Sequence, residues 1–282
     1  MSRIYDALKK LEAERLGRKA EGHGGGGNGG GNGGGNGGNG GGNGKRRGWR
    51  RFLGGSGGNA SHPTVALRLN PDPEVEEAYQ RLGTNLLLPG KGAGPIPHIL
   101  GITACRHGEG TTTTAALFGS ILVRRRKGRV AVVEANLRSP TFDAVFGVRR
   151  DGGFAELVQG QKSVAEVALP TEVPNLFAIC SGHTTVTPPA LFDSPGVATA
   201  LEQLRKEFDF VVVDLPPANV YSDTSILAPL LDATLIVIEA DRTRVPEVER
   251  LRRALEHVGV RVVGSVLNRR RDYIPAFLEE ML

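Results

Sequence analysis

The sequence has 282 residues, a formal net charge of +5 at pH 7 and 40 glycines, seventeen of them packed into residues 22–44. That tract has no third-position glycine period and little proline nearby, which excludes a collagen, and no apolar run of about 18 residues is present to cross a membrane. Residues 1–53 hold eleven Lys and Arg against four Asp and Glu, so the basic excess belongs to the N-terminal segment. The part that follows is slightly acidic, long enough for one large core, and a nucleic-acid partner is disfavoured for it. Two cysteines, Cys105 and Cys180, are too few for a disulfide framework or a four-ligand zinc site. The opening Met1, Ser2, Arg3, Ile4 lacks the apolar core of a signal peptide, and a cytosolic protein with reduced thiols is expected.

In chain order, the first expected element is a helix from Ser2 to about Lys19, with Ser2 as N-cap and Ile4, Leu8 and Leu11 forming a narrow apolar stripe. Such a helix is marginal alone, so it either forms against a partner or membrane surface or remains a frayed leader. The Gly/Asn tract after it reads as a flexible tether of about 25 Å r.m.s. reach. The organisation expected is a helix over 1–20, a linker over 21–60 and a folded domain over 61–282. Within the linker, residues 45–53 carry five cations interleaved with Trp49 and Phe52. This composition suits an anionic membrane face, a single-stranded nucleic acid, or simply a solvated charge cluster.

A helix is expected from Glu74 to Leu88, closed by Pro89 and Gly90. Short continuous Val/Ile/Leu runs follow at Ile99–Ala104, Val130–Val133, Leu176–Ile179, Phe210–Val213, Thr234–Ile238 and Val262–Val266, mostly separated by amphipathic stretches. Runs of this kind are strands buried on both faces, so the fold class is α/β, a doubly wound and mostly parallel sheet. Thr187, Pro188 and Pro189 read as turn chemistry, as do Asp193, Ser194 and Pro195 ahead of a helix from Val197 to Glu207. Leu215, Pro216 and Pro217 read as an exposed loop.

The first strand runs into Cys105, Arg106, His107, Gly108, Glu109, Gly110, Thr111, Thr112, Thr113, and then a helix. Strand, glycine-containing loop and helix N-terminus together turn backbone N–H groups toward an anion, the architecture of a phosphate loop. The full motif places Lys after its second Gly, and here Thr111 stands there, while Thr112 supplies the hydroxyl that meets Mg2+. Alone, the loop reads equally as a glycine turn that lets a helix pack close to a strand. Asp214, at the tip of a buried strand, adds a carboxylate where phosphate-loop proteins hold Mg2+. His107 and Glu109 find no nucleophile beside them. Cys105 and Cys180 read as small buried residues. Asn268, ending the last strand, suits either a nucleotide base or a strand-end cap.

Four stretches then carry a resemblance: Glu77 to Leu86; the loop; Val132, Val133, Glu134, Ala135, Asn136, Leu137, Arg138, Ser139, Pro140; and Phe208 to Pro217 with Asp214 at its centre. From about residue 73 to 277 the chain resembles the cytoplasmic domain of bacterial tyrosine kinases (BY-kinases) of capsule and exopolysaccharide synthesis, relatives of the Min and Par partition ATPases. The resemblance implies a P-loop NTPase fold with ATP and Mg2+ as cofactors. It places phosphates on Arg106, Gly108, Glu109, Gly110, Thr111, Thr112 and Thr113, a base contact at Asn268, metal on Thr112, Asp214 and Glu134, and catalysis on Asp214. It further implies a membrane polysaccharide co-polymerase as partner, a peripheral place at the inner membrane, and a homo-oligomer.

The departures are as informative. The family's loop Lys is Thr111, and its paired acids are Glu134 and Asn136. Its E-x-x-R-x-x-R ring helix reads Glu77, Gln80, Gly83, and its C-terminal tyrosine cluster is missing, with Tyr273 the sole Tyr near the end. Loss of one charged hydrogen bond, about 1.5–3 kcal/mol, weakens nucleotide affinity by roughly 10- to 150-fold, and catalysis should fall further. The expectation is a degenerate kinase-like module that binds nucleotide weakly and regulates its partner. Two alternatives stand beside it: an active ATPase or tyrosine kinase in which Arg106 supplies the missing charge, and a partition-type positioning ATPase.

Overall fold

The computed structural model describes residues 71–87, 94–126, 128–149 and 151–270. The expected N-terminal helix, the glycine linker, the basic aromatic patch at 45–53, Leu88 to Gly90 and the segment after residue 270 with Tyr273 lie outside the described residues. The elements, in order, are α1 (Pro73–Leu87), β1 (Ile99–Ala104), α2 (Thr111–Arg126), β2 (Val130–Glu134), α3 (Phe142–Phe146), α4 (Phe154–Val158), α5 (Val164–Val167), β3 (Leu169–Pro170), β4 (Leu176–Ile179), α6 (Pro188–Phe192), α7 (Gly196–Glu207), β5 (Phe210–Asp214), α8 (Asp223–Leu227), β6 (Ala233–Glu239), α9 (Val245–His257) and β7 (Val262–Asn268).

The six expected apolar runs are all strands of one sheet, in the order β3-β4-β2-β5-β1-β6-β7. Every neighbouring pair is parallel except the two-residue edge strand β3, which runs antiparallel to β4. Because side chains alternate across a pleat, each strand supplies both faces. Ala131 and Val133 of β2, Val211 and Val213 of β5, and Ile236 and Ile238 of β6 join the core under α7 and α9. Their alternates Val130, Val132, Phe210, Val212, Leu235 and Val237 join the core under α2. Helices on both faces of a parallel sheet bury β1, β2 and β5 completely, which is why these segments read as continuous apolar runs. The run at Val262–Val266, expected to be buried on both faces, lies in the edge strand β7 and is only partly buried because it has a neighbour on one side alone.

Helix α1 lies over α2, with Tyr79, Leu82, Leu86 and Leu87 packed on the same core. Its C-terminal half is held by Arg125, which donates to the Gln80 carbonyl at 2.6 Å and to the Thr84 hydroxyl at 2.7 Å. Gly119 lets α2 sit directly on the sheet, since a Cβ there would stand 2.5 Å from a methyl of Val132.

Two local expectations are corrected. Pro188 and Pro189 open the short helix α6 rather than a turn, because proline at the first helical positions lacks only an N–H that would be unpaired anyway. Leu215, Pro216 and Pro217 are buried rather than exposed. They continue alongside β1 through Leu215 N–H to the Ile102 carbonyl and Ala218 N–H to the Ala104 carbonyl, and the Pro216 carbonyl accepts the hydroxyls of Thr103 and Thr224.

At the N-terminal ends of β1 and β6, Asp232 ties three elements together. Its carboxylate accepts the N–H groups of His98 and Ile99, each at 2.7 Å, and a bidentate pair from Arg205 of α7 at 2.9 and 3.0 Å. Burial alone would raise this carboxyl, but the Arg205 guanidinium and the two N–H groups outweigh it and hold Asp232 below the ordinary aspartate value of 3.8. A depressed folded-state value stabilises the fold wherever the unfolded carboxyl is ionised, and the gain disappears as pH falls through the folded value. Asp232→Asn should therefore cost about 1.5–3 kcal/mol at neutral pH. Urea unfolding should show that deficit shrinking as the buffer is taken below the ordinary aspartate range.

Candidate functional site

The site forms where β1 ends at the centre of the sheet. Gly108 and Gly110 take φ of 81° and 98°, the left-handed region that side chains disfavour. Gly110 is further constrained by Asn268, whose Nδ2 would stand 2.2 Å from a Cβ placed there. Asn268 donates from Nδ2 to the Glu109 carbonyl at 2.8 Å and accepts the Arg269 N–H on Oδ1 at 2.9 Å. Both of its polar ends thus meet backbone, which favours the cap over the base contact.

Glu109 turns inward and is 1% exposed. Its Oε2 accepts the N–H of Cys105 at 2.7 Å and of Arg106 at 3.0 Å, and its Oε1 accepts the Thr243 hydroxyl. The carboxylate braces the start of the loop against the β6–α9 connection. Thr111, Thr112 and Thr113 form the first turn of α2 and are partly buried. The N-terminal N–H groups of α2 form the loop's other wall.

Across this turn lies Asp214, paired in register with Glu134 of β2. Thr112 donates its hydroxyl to Asp214 Oδ2 at 2.7 Å. The other oxygen, Oδ1, is buried and has no hydrogen-bond partner. Burial pushes the Asp214 carboxyl up to about 8, the Thr112 hydrogen bond working against that rise and the Glu134 charge adding to it. A buried carboxylate oxygen left without a donor is costly unless a cation meets it. The Thr112 hydroxyl and Asp214 are therefore a donor set that suits Mg2+. Two more unpartnered buried oxygens, Asn136 Oδ1 and Ser181 Oγ, follow the ends of the adjacent strands β2 and β4.

Glu134 is differently employed. Its Oε1 accepts the N–H groups of Thr141 and Phe142, and its Oε2 accepts that of Ser181 at 2.9 Å. The carboxylate caps α3 and joins β2 to the segment after β4. Arg106 is likewise held, in a bidentate pair with Glu247 of α9 at 2.6 and 2.9 Å.

Several contributors went unnoticed in the sequence. Arg138, closing the second motif, forms a bidentate pair with buried Asp223 at 2.7 and 3.0 Å and lies 4.2 Å over the Tyr221 ring. Tyr221 in turn meets exposed His107 of the loop, its hydroxyl 3.3 Å from Nε2. Thr243 and Arg242 approach the loop from the end of β6, with Arg242 Nη1 4.0 Å from the position of a Cβ on Gly108. No local pattern announces contacts between residues so far apart in the chain, 85 for Arg138 and Asp223 and 134 for Thr243 and Glu109, although a charged cluster directly after an apolar strand is a usable cue.

A family model described as "ParA: NUBPL iron-transfer P-loop NTPase" matches residues 95–276. The chain is 27% identical over 197 residues to the tyrosine-protein kinase CpsD of Streptococcus pneumoniae serotype 4, covering 70% of this chain and 85% of that protein. It is 29% identical over 204 residues to the putative tyrosine-protein kinase EpsB of Ralstonia solanacearum, covering 72% of this chain and 27% of that one. Among solved structures, the VpsO kinase domain is similar with a TM-score of 0.62 at 27% identity, covering 70% of this chain and 97% of that domain. The cell division ATPase MinD of Pyrococcus furiosus shares the fold, with a TM-score of 0.53 at 21% identity over 66% of this chain and 78% of that one.

The two facing acids have opposite energetic roles, and metal-free unfolding should separate them. Glu134→Gln removes a charged acceptor from three N–H groups and should lower stability by about 1.5–3 kcal/mol. Asp214→Asn relieves a buried and incompletely paired carboxyl and should raise the urea midpoint at pH 7. A shift of both variants in the same direction would refute this division.

Proposed function

The chain belongs to the ParA family of P-loop NTPases, and from that premise we propose that its folded part is a degenerate relative of the bacterial tyrosine kinases, binding Mg2+-nucleotide weakly and acting by binding rather than by phosphotransfer. P-loop NTPases bind nucleotide with Mg2+ in general, and several relatives are named tyrosine-protein kinases. The observation that carries the proposal is the Thr112–Asp214 pair, with a buried Asp214 oxygen left for a cation, beside a loop whose lysine position is Thr111. The metal side of the site is supplied while the phosphate side lacks its usual charge.

In this reading, backbone N–H groups from Gly108 to Thr112 hold the phosphates, and Thr112 and Asp214 hold the metal. Bound Mg2+ would neutralise phosphate charge. The Asp214 carboxyl holds a proton near neutral pH until a cation replaces it, and Gly110 keeps the loop open for the anion. Glu134, occupied by three N–H groups, orients α3 rather than binding metal. Iron transfer, part of the family description, is not carried over to this chain: both cysteines are buried, and burial pushes the Cys105 thiol up to about 12, far from the thiolate a metal needs.

The partner proposed is a membrane polysaccharide co-polymerase, with the domain peripheral at the inner membrane and residues 45–53 against anionic lipid. The resemblance to capsule and exopolysaccharide kinases and the five cations with two aromatics in that segment support this reading. No described helix is long and apolar enough to cross a membrane.

Calorimetric titration of Mg-ADP and Mg-ATP into the full chain tests the nucleotide half. Wild type should bind roughly 10- to 150-fold more weakly than Thr111→Lys, without phosphotransfer to tyrosine. Binding as tight as that of the lysine variant, or measurable autophosphorylation, would overturn it. For the membrane half, deleting residues 45–53 should release the chain from anionic vesicles in a flotation assay, and retained flotation would refute the lipid contact.

A further inference from the structure

Arg106, Arg138, Arg242 and Arg269 lie in or around the site, and their partners distinguish them. Arg106 is bound through both ends of its guanidinium to Glu247. Arg138 is bound in the same way to Asp223, whose side chain is fully buried, so withdrawing it would strand a buried charge. Arg242 and Arg269 share one carboxylate: Arg242 Nη1 meets Glu239 Oε2 at 2.8 Å, and Arg269 Nη1 meets Oε1 at 2.8 Å. If Arg242 turns away, Glu239 retains Arg269. Arg242 is also 52% exposed, and ion pairs of that kind contribute little to stability.

Its location is fixed by the fold. Thr243, the next residue, donates its hydroxyl to Glu109 inside the loop. Asp241, the residue before, takes a left-handed φ of 62° that turns the chain toward it. Asn268 of the neighbouring strand joins the other side of this stretch to the loop, accepting the Ala240 N–H on its backbone carbonyl at 2.9 Å and donating its amide to the Glu109 carbonyl. The β6–α9 connection is therefore pinned to the loop on both sides, with the Arg242 guanidinium beside Gly108.

We propose that Arg242 is a phosphate-binding cation of this site, bringing from a neighbouring loop part of the charge that Thr111 cannot supply. The inference rests on the nucleotide reading above. On arrival of a polyphosphate, Arg242 leaves the shared Glu239 and closes on the anion from the β6 side. A guanidinium can meet two phosphate oxygens at once, and its charge is permanent. Thr111 remains a helix-opening residue, and the charge enters from a different chain segment.

The test is calorimetry on the full chain with Mg-ADP and, separately, Mg-pyrophosphate, each variant first checked for wild-type urea unfolding. Arg242→Ala should weaken both ligands about 10- to 150-fold, Arg242→Lys should recover part of that loss, and Thr111→Lys placed on Arg242→Ala should restore binding. Glu239→Gln, which frees the arginine, should tighten both ligands, an effect that a merely structural role for Arg242 would not produce. If wild type binds and Arg242→Ala binds equally well, this inference fails and the nucleotide reading stands. If Arg242→Ala loses Mg-ADP but keeps Mg-pyrophosphate, the contact is to the base and the phosphate assignment is overturned. If wild type binds neither ligand, both the inference and the reading it rests on fall.

Discussion

A buried carboxylate inside the phosphate loop holds the site together. Glu109 gathers two N–H groups from the loop's own start and a hydroxyl from the β6–α9 connection, while its carbonyl receives the amide of Asn268. A buried charge is tolerated only where donors surround it, and here the donors to the carboxylate come from the end of β1 and from the β6–α9 connection, while the end of β7 meets the Glu109 backbone carbonyl. One residue thus joins three adjacent strand ends, two through its side chain and the third through its carbonyl, in a loop whose glycines would otherwise leave it free. The places of Arg242, Thr243 and Asn268 around the loop all follow from that junction.

Asp214 and Glu134 sit side by side in register, yet their environments assign them to different work. Glu134 has three backbone donors and behaves as architecture. Asp214 has the Thr112 hydroxyl on one oxygen, a weaker influence from the Thr111 hydroxyl and a buried oxygen without a hydrogen-bond partner, and its burial raises the carboxyl. The extra methylene of Glu134 lets its carboxylate reach the N–H groups of α3, beyond the reach of a shorter acid at the same place.

The sheet was legible because burial on both faces leaves near-continuous Val and Ile runs in its inner strands, and the six expected runs are six strands, the edge strand β7 being only partly buried. What escaped was short or nonlocal. Helices of four or five residues, such as α4 and α5, carry too few positions for a period to emerge. The two-residue β3 exists only because β4 lies beside it. At the site, the loop glycines, Thr112 and Asp214 could be found from strand–loop–helix logic. Asn268, read from its place at a strand end, and Glu134, named through the family resemblance, both have their polar ends engaged by backbone, because a polar residue at a strand end serves equally well as ligand or cap. Arg242 was invisible for the opposite reason: its meaning depends on Gly108, more than a hundred residues earlier, and on a carboxylate it shares with Arg269.

The strand order carries a consequence for how the protein comes into being. β1, which leads into the phosphate loop, pairs with no strand near it in the sequence. Ile99 lies opposite Val211, and Leu100 opposite Ala233. A nascent chain emerging from the ribosome therefore carries its glycine loop long before either flanking strand has been synthesised, and closing such distant pairs is slow. Until β5 and β6 have both emerged, Thr112 has no Asp214 to meet and Glu109 no Thr243. The nucleotide site is thus among the last features of the domain to exist, completed together with the sheet whose centre it occupies.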